Sequence, residues 1–435
     1  MESEGLTRFN EEQQRAYNAL KAGKNVFLTG PGGTGKSYFI QYLCEHLEID
    51  IPRIRIAVTA LTGCAAILLG LGAKTIHSWG GIGLGRGTIG EIVVQLRRNR
   101  KAIKNWLATD LLVIDEISMM SAELFNKLNE VAKIIRKSSA PFGGLQLLLV
   151  GDFYQLPPIG DGGTEAQFAF ESPVWSTCID ESIILKAIMR QKDDTFRGLL
   201  DHARKGDLAP EDIELLRSRV GLEWSTQQIK PTLLFSRRNM VDRINSANLK
   251  SLEAETVAWK AKTLLVAAEG KAPAKDDLDR IVAAFDRDGP YDETVELKVG
   301  AQVMLITNLD LDAGLVNGSR GVVVEIRAGP EPIPVVQFLN GLKLAIGRNS
   351  WPIDDYDGYV RSQIPLRLAW AGTIHKSQGS TLDCALIDIG RSTFEYGQAY
   401  VALSRVKSLD SLYIHEFAPE AVRAHPKVKA FYSSI

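Results

Sequence analysis

Apolar residues along the N-terminal part of the chain alternate between two spacings. Short apolar runs occupy 26–28, 54–60, 111–114 and 145–150, and the first three are each followed by a stretch with helical spacing, at 37–47, 63–71 and 122–136. Such runs predict strands buried on both faces, and the alternation predicts a doubly wound parallel sheet. An amphipathic helix is predicted over 10–22, with Asn10 as its N-cap. The alternation resumes after Pro173, with 232–235 followed by 239–252 and 384–389 followed by 398–406. Between these, residues 298–362 change character. Strand-like runs at 302–306, 321–326 and 335–338, with Asn317-Gly318 and Asn340-Gly341 as turn pairs, predict a small inserted β-barrel. Residues 265–290, rich in Ala, Asp and Lys, read as a helix with loose connections. The expected fold class is α/β. The expected division is a first domain over 1–180 with a small insertion about 82–108, a second over 181–297 and 363–435, and the β module over 298–362.

Composition narrows the class without naming an activity. The 435 residues are 45% hydrophobic, 24% charged and 8% aromatic, the balance of a globular protein long enough for two or three domains. A net charge of −1 neither favours nor excludes a nucleic-acid partner, because a basic groove is a local property. The four cysteines, Cys44, Cys64, Cys178 and Cys384, form no CxxC pair, which argues against a zinc ribbon or a disulfide framework and fits a reducing, intracellular compartment. No apolar run reaches the ~20 residues of a membrane span, so no membrane partner is expected. The acidic start Met1-Glu2-Ser3-Glu4-Gly5 shows no signal or transit peptide.

Candidate chemistry begins where the first strand ends. Gly30-Pro31-Gly32-Gly33-Thr34-Gly35-Lys36-Ser37 fits G-x-x-x-x-G-K-[ST] in full, between an apolar run and a helix. Glycines let the backbone N–H groups of such a loop point inward around phosphate oxygens, and the following helix adds its dipole. Lys36 would reach the β- and γ-phosphates and Ser37 would ligate Mg²⁺. A chance Gly-rich turn is the bland alternative. Leu111-Leu112-Val113-Ile114-Asp115-Glu116 places two acids at the C-terminal end of a buried strand, where α/β sheets hold ligands. Asp115 would hold Mg²⁺ through water, and Glu116 would orient and deprotonate the attacking water. Taken alone, the pair also reads as acids at a helix N-terminus. Gln155 follows the run 145–150 and is placed to sense a γ-phosphate, unless the segment is simply a turn ending at Pro157-Pro158. The series Gly81, Gly83, Gly85, Gly87 follows no clear strand and reads as a flexible loop.

Further segments stand in a fixed order. They are Phe9 to Ala16 around Gln13; Thr59-Ala60-Leu61-Thr62; Thr75 to Gly83 with His77 and Trp79; Asp115 to Met120; Pro141-Phe142-Gly143-Gly144; and Gly151 to Pro158. They continue with Leu185 to Gln191, Gly314 to Gly321, Thr373 to Leu382, and Tyr396 to Arg405. In this order they resemble the motifs of superfamily-one, group-B helicases, and most closely the Pif family of 5′-to-3′ DNA helicases, with RecD-like and Dda-type enzymes less similar. The resemblance runs from about Phe9 to the C-terminus. Departures are small: Pro31 and Gly32 stand where the family often has Ser and Ala, and Ser380 where Met is common.

The resemblance implies two RecA-like parallel-sheet domains with small insertions, one of them an SH3-like β-barrel. It implies ATP and Mg²⁺ as cofactors. Gln13 would read the adenine edge, and Gly379 would join the nucleotide contacts with Gly30, Gly32, Gly33, Thr34, Gly35, Lys36 and Ser37. Arg190 and Arg405 would reach across from the second domain as arginine fingers, although either alone reads as a surface ion pair. Thr59, Thr62, His77 and Trp79 would contact DNA from the first domain, and His375, Lys376 and Ser377 from the second. The bland alternatives are a satisfied half-buried His77, and core packing for Trp79 and Trp370. The basic run Arg97-Arg98-Asn99-Arg100-Lys101 with Lys104 reads as a solvated helix face or as the family's strand-separating wedge. Arg237-Arg238 divides the same way, between surface and DNA phosphate. Implied partners are single-stranded DNA, single/double-strand junctions and G-quadruplex DNA. The implied setting is genome maintenance by a monomer, in the nucleus or mitochondrion of a eukaryote or the cytoplasm of a bacterium. Competing readings are a translocase with little unwinding and an ATP-switched DNA-binding module. A nucleotide kinase would not need the segments Thr373 to Leu382 and Tyr396 to Arg405.

Overall fold

The computed structural model describes residues 9–435 apart from 84, 161–164, 192, 225–229, 267–277, 280–281, 284–285, 287–288, 290, 311–312 and 354–358. Two compact units divide the chain: Met1–Gln191 with His425–Ile435, and Lys192–Ala424.

The first unit is built on six parallel strands: β1 (Val26–Thr29), β2 (Ile56–Ala60), β3 (Lys74–Thr75), β4 (Leu111–Asp115), β5 (Gln146–Gly151) and β6 (Glu181–Ile184). Their order is β3-β2-β4-β5-β1-β6. Every residue of β1 and β4 is buried, because helices cover both faces of the sheet. Strand β6 pairs with β1, with Val26 opposite Glu181. The segment expected to open the second domain at 181 is therefore an edge strand of the first sheet.

Helices α1 (Glu11–Lys21), α2 (Lys36–Asp50), α3 (Gly63–Leu69), α4 (Ile76–Gly80), α5 (Ile89–Leu96), α6 (Arg100–Ala108), α7 (Ala122–Arg136) and α8 (Trp175–Cys178) complete this part of the unit. Helix α1 opens as a capping box: the Gln13 N–H donates to Asn10 Oδ1 at 2.8 Å and the Asn10 N–H to Gln13 Oε1 at 3.2 Å. Helix α7 opens at Ser121, whose Oγ accepts from the Leu124 N–H, and stops at Lys137 with φ 54°. Leu20, Leu28, Phe39, Leu43, Val113 and Leu148 form a core between α1, α2 and the sheet. Helices α5 and α6 occupy the expected insertion. A helix at Pro426–Tyr432 returns from the far end of the chain and packs Phe431 among Phe27, Phe153, Phe170 and Trp175.

The second unit begins with α9 (Asp194–Lys205) and α10 (Pro210–Ser218), and α11 (Arg238–Ser251) follows its first strand. Its strands are β7 (Thr232–Phe235), β8 (Val257–Lys260), β9 (Lys262–Leu265), β10 (Thr294–Leu297), β11 (Gln302–Leu305), β12 (Arg320–Arg327), β13 (Ile333–Phe338), β14 (Lys343–Ala345), β15 (Asn349–Pro352), β16 (Tyr359–Gln363), β17 (Leu366–Leu368), β18 (Ala371–Thr373), β19 (Ala385–Ile389) and β20 (Leu412–Phe417). Parallel strands β18-β7-β19-β20 make a second sheet. The antiparallel sheets β14-β13-β12-β11-β17 and β15-β16-β9, with the pair β10-β8, make the inserted β module. Its core holds Trp259, Val303, Leu305, Val323, Val336 and Trp370. Trp370 thus packs, as one of its two readings required. Buried Gln302 and Arg320 both donate to the Lys230 carbonyl, at 2.8 and 2.7 Å, and fasten the module to the chain just ahead of β7. The helix expected within 265–290 falls largely outside the described residues.

Candidate active site

The C-terminal ends of β1, β5 and β4, neighbours in the sheet, deliver the chemistry. From β1 the chain enters the loop Gly30–Ser37. Gly33 has φ +84°, and a Cβ there would lie 2.5 Å from Arg190 Cβ. Gly35, at φ +85°, is the N-cap of α2, and its backbone faces Gln13 Nε2. Thr34 is buried, and its hydroxyl braces the loop by donating to the Pro31 carbonyl at 2.9 Å. Lys36 Nζ stands at the mouth of the loop, 2.7 Å from the Gly30 carbonyl and 2.9 Å from that of Pro31. Ser37 is exposed on the first turn of α2.

At the end of β4, Asp115 is buried and its Oδ1 accepts the Glu116 N–H at 2.9 Å. Burial, and then the Glu116 charge, push the Asp115 carboxyl up to about 7, against the opposing pull of Lys36. Glu116 is held in the left-handed region, at φ 55° and ψ 41°. A non-glycine residue there is strained, and strain of this kind collects where a side chain must be aimed. At the end of β5, Gln155 is buried in a turn in which its N–H donates to the Asp152 carbonyl at 2.8 Å.

The loop after β1 carries Lys36 and Ser37, and the end of β4 carries Asp115, close enough to Lys36 to feel its charge. Among the described residues no group of three or more His, Cys, Asp or Glu could hold a metal by itself. The donor set fits Mg²⁺ held jointly with phosphate oxygens, because that ion keeps few protein ligands.

The two arginines part company. Arg190 was expected from the second domain, but it lies in the first unit, half-buried against the phosphate loop, where the Met189 N–H donates to the Gly33 carbonyl at 2.8 Å. Arg405 is buried in the second unit. Its Nε donates to the Val401 carbonyl at 2.8 Å, Nη1 to the carbonyls of Ser377 and Ser380 at 3.2 Å each, and Nη2 to Ser404 Oγ at 2.7 Å. It cross-links the loop after Ile374–Ser377 to the helix Gln398–Leu403.

The candidate DNA contacts are equally mixed. Thr59 is fully buried and donates its hydroxyl to the Val113 carbonyl at 2.7 Å, inside the sheet. Trp79 is 5% exposed and packs on Trp106 at 4.6 Å, while Trp106 Nε1 donates to the Gly80 carbonyl. Their burial sets both side chains against the DNA-contact expectation and, for Trp79, favours the core-packing alternative. The Ser377 hydroxyl is also buried, donating to the Ile374 carbonyl. Thr62 accepts the Ala65 N–H and starts α3. His77 and His375 are half-buried, and burial lowers the His375 pKa. Lys376 is exposed. Arg97, Arg98, Arg100 and Lys104 project from α5, α6 and their connection into solvent. Arg238 pairs with Asp242 and Arg237 lies over the Phe394 ring. Gly81, Gly83, Gly85 and Gly87, all at positive φ, form a loop between α4 and α5, as the sequence indicated.

Sequence reading missed the partners of the strand ends. Tyr432 Oη lies 2.5 Å from Thr29 Oγ1, 3.1 Å from the Phe153 N and 3.3 Å from Asp152 Oδ1. No local pattern points to a tyrosine so far along the chain.

A phosphate loop in one of two units, each built on a parallel sheet, defines the RecA-like class of P-loop proteins. Residues 8–209 match the family model described as PIF1-like helicase, and residues 285–326 match that of the DNA helicase Pif1 2B domain. The ATP-dependent DNA helicase PIF1 of Danio rerio is 39% identical over 430 residues, covering 98% of this chain and 64% of that protein. The chain thus spans about 64% of the length of the curated relatives it matches first. The crystal structure of Pif1 helicase from Candida albicans is similar at 35% identity and a TM-score of 0.79, covering 99% of this chain and 100% of that one. That of Bacteroides Pif1 bound to single-stranded DNA is similar at 27% identity and a TM-score of 0.67, covering 99% and 97%. The chain belongs to the PIF1-like helicase family.

Proposed function

We propose that the chain is an ATP-dependent DNA helicase that moves 5′ to 3′ on single-stranded DNA and separates duplexes. The observation that carries this is the convergence of Lys36, Asp115 and Gln155 at three adjacent strand ends, in a chain of this family. The loop amides and Lys36 bind the β- and γ-phosphates. Ser37 and Asp115 hold Mg²⁺, which when bound withdraws charge from the phosphate oxygens. Glu116, aimed by its strained backbone, takes the proton of the attacking water. Gln155 registers the γ-phosphate and passes its loss to the turn that carries it. Arg190 is the arginine beside the loop and would offset charge in the transition state, a contribution of roughly 10³–10⁵ in rate for such groups. Arg405 must exchange some of its four acceptors before it could act likewise. Gln13 and Gly379 stay with the nucleotide, and Thr62, His77, His375 and Lys376 with the DNA strand.

The ssDNA-bound Bacteroides relative supports a single-stranded track, and the exposed arginines of α5 and α6 support a junction contact. G-quadruplex substrates, monomeric action and work beside genomic DNA in nucleus, mitochondrion or bacterial cytoplasm belong to the same reading. Among the described residues no helix is long and apolar enough to cross a membrane.

Strand displacement tests the reading. Duplexes with a 5′ or a 3′ single-stranded tail are mixed with ATP, Mg²⁺ and either the protein or its Glu116→Gln variant. Unwinding of the 5′-tailed duplex alone, lost in the variant, is the expected result. Unwinding of the 3′-tailed duplex alone would overturn the polarity. DNA-stimulated hydrolysis without unwinding would leave a translocase.

A further inference from the structure

The phenol of Tyr432 sits where two functional strand ends meet. Thr29 is the last residue of β1, directly before the phosphate loop. Asp152 and Phe153 directly follow β5 and lead to Gln155. A phenol oxygen has one proton to donate and can accept two hydrogen bonds. All three are used in a consistent way. Tyr432 donates to Asp152 Oδ1 at 3.3 Å and accepts the Phe153 N–H at 3.1 Å, which leaves it to accept a hydrogen bond from the Thr29 hydroxyl, 2.5 Å away. Its ring stacks on Tyr154, with centroids 4.7 Å apart and planes 13° from parallel. Asp152 Oδ1 also accepts the Tyr154 N–H at 3.2 Å, so the same oxygen shapes the turn that ends at Gln155.

The surrounding contacts hold the helix Pro426–Tyr432 in place. Phe431 stacks on Phe170 at 4.3 Å and meets Phe27, Phe153 and Trp175. His425 reaches Glu165 and Lys427 reaches Glu171, each at 2.5 Å. The hydroxyl is therefore not needed to dock the helix. It lies instead at the C-terminal ends of the neighbouring strands β1 and β5.

We propose that Tyr432 is a positioning residue of the nucleotide site, whose hydroxyl fixes the exits of β1 and β5 to each other and so sets Gln155 against the phosphate loop. The inference rests on reading that site as one of ATP hydrolysis. Tyr432→Phe keeps the ring and removes the tie.

Two measurements test it. In hydrogen exchange without nucleotide, peptides spanning 27–35 and 150–156 of Tyr432→Phe should exchange about tenfold faster, with the rest of the first unit unchanged. In DNA-stimulated ATP hydrolysis, kcat should fall about tenfold with KM for ATP within about twofold. Thr29→Val, which removes only the Thr29 arm of the tie, should reproduce the faster exchange of peptide 27–35 alone, and the double variant should be no worse than Tyr432→Phe, since that variant already lacks the same bond. Wild-type exchange in both peptides would overturn the proposal, and so would faster exchange spread across the unit with a lowered melting temperature. A wild-type protein that hydrolyses no ATP would overturn the helicase reading, while the exchange data still decide the role of Tyr432.

Discussion

Lys36 and Asp115 carry opposite charges into one small space, and each has a distinct consequence. Lys36 is the cation at the mouth of the loop. Lys36→Ala should lower DNA-stimulated ATP hydrolysis by about 10²–10³-fold, as loss of one preorganised donor does elsewhere, with the melting temperature almost unmoved. Asp115 makes a pH prediction. Its carboxyl is pushed up to about 7 by burial and by Glu116. The folded chain therefore holds this proton to higher pH than the unfolded one, so the group favours folding at low pH and loses that contribution as pH rises through about 7. Metal binding needs the ionised form. The Mg²⁺ concentration for half-maximal hydrolysis should thus be about tenfold higher at about pH 6 than at pH 8, and Asp115→Asn should abolish the step. Trp79 belongs to the core by its burial. Trp79→Ala should cost about 3–5 kcal/mol in denaturant unfolding, with DNA affinity of the folded fraction unchanged. Lys36, Ser37, Asp115 and Glu116 were legible because each motif is contiguous and the residue types are demanded by phosphate chemistry. Thr59 was not. A strand covered on both faces has no polar face to show which way its side chains point, so nothing local separated a hydroxyl facing a ligand from one buried in the sheet.

At the scale of elements, apolar runs located β1, β2, β4 and β5 because their neighbours hide both faces. Strand β6 was assigned to the wrong domain because half of it, Glu181 and Ser182, is polar, as suits an edge with Lys24 and Arg15 paired to Glu181. The segment Pro141-Phe142-Gly143-Gly144 was recognisable as a motif, but its task needed the structure. Phe142 takes φ 49°, its N–H donates to Asn129 Oδ1 at 2.8 Å, and a Cβ on Gly143 would lie 2.6 Å from the Ala132 carbonyl. This turn is a lock on α7. Asn129→Ala strands a buried N–H and should cost about 1–3 kcal/mol by chemical denaturation. The basic stretch on α5 and α6 is a different kind of element, exposed and not needed for packing. Replacing Arg97, Arg98 and Arg100 with Glu should weaken forked-duplex binding and flatten its salt dependence by about one logarithmic unit per lost phosphate contact. ATP hydrolysis on single strands should stay near wild type. Equal losses on forks and single strands would remove the junction role.

The whole molecule is the least legible scale. Two parallel-sheet units and a β insert follow from periodicity. The crossing points between units do not. Arg190 was placed beyond the first unit and sits inside it. Residues 425–435 were placed in the second unit, and the helix they form belongs to the first. Such pairings join positions as far apart as Thr29 and Tyr432, 403 residues along the chain, and no local window can reveal them.

That separation matters for how the protein is made. A ribosome completes β1 and β5 long before it reaches Phe431 and Tyr432. Until then the faces of Phe27, Phe153, Phe170 and Trp175 that Phe431 will cover stand open, an apolar patch of the kind that recruits chaperones or other nascent chains. Closing so long a loop is also entropically late. A polypeptide cut short between residues 406 and 424 carries every motif residue of its ATP site and still lacks the helix that covers those rings.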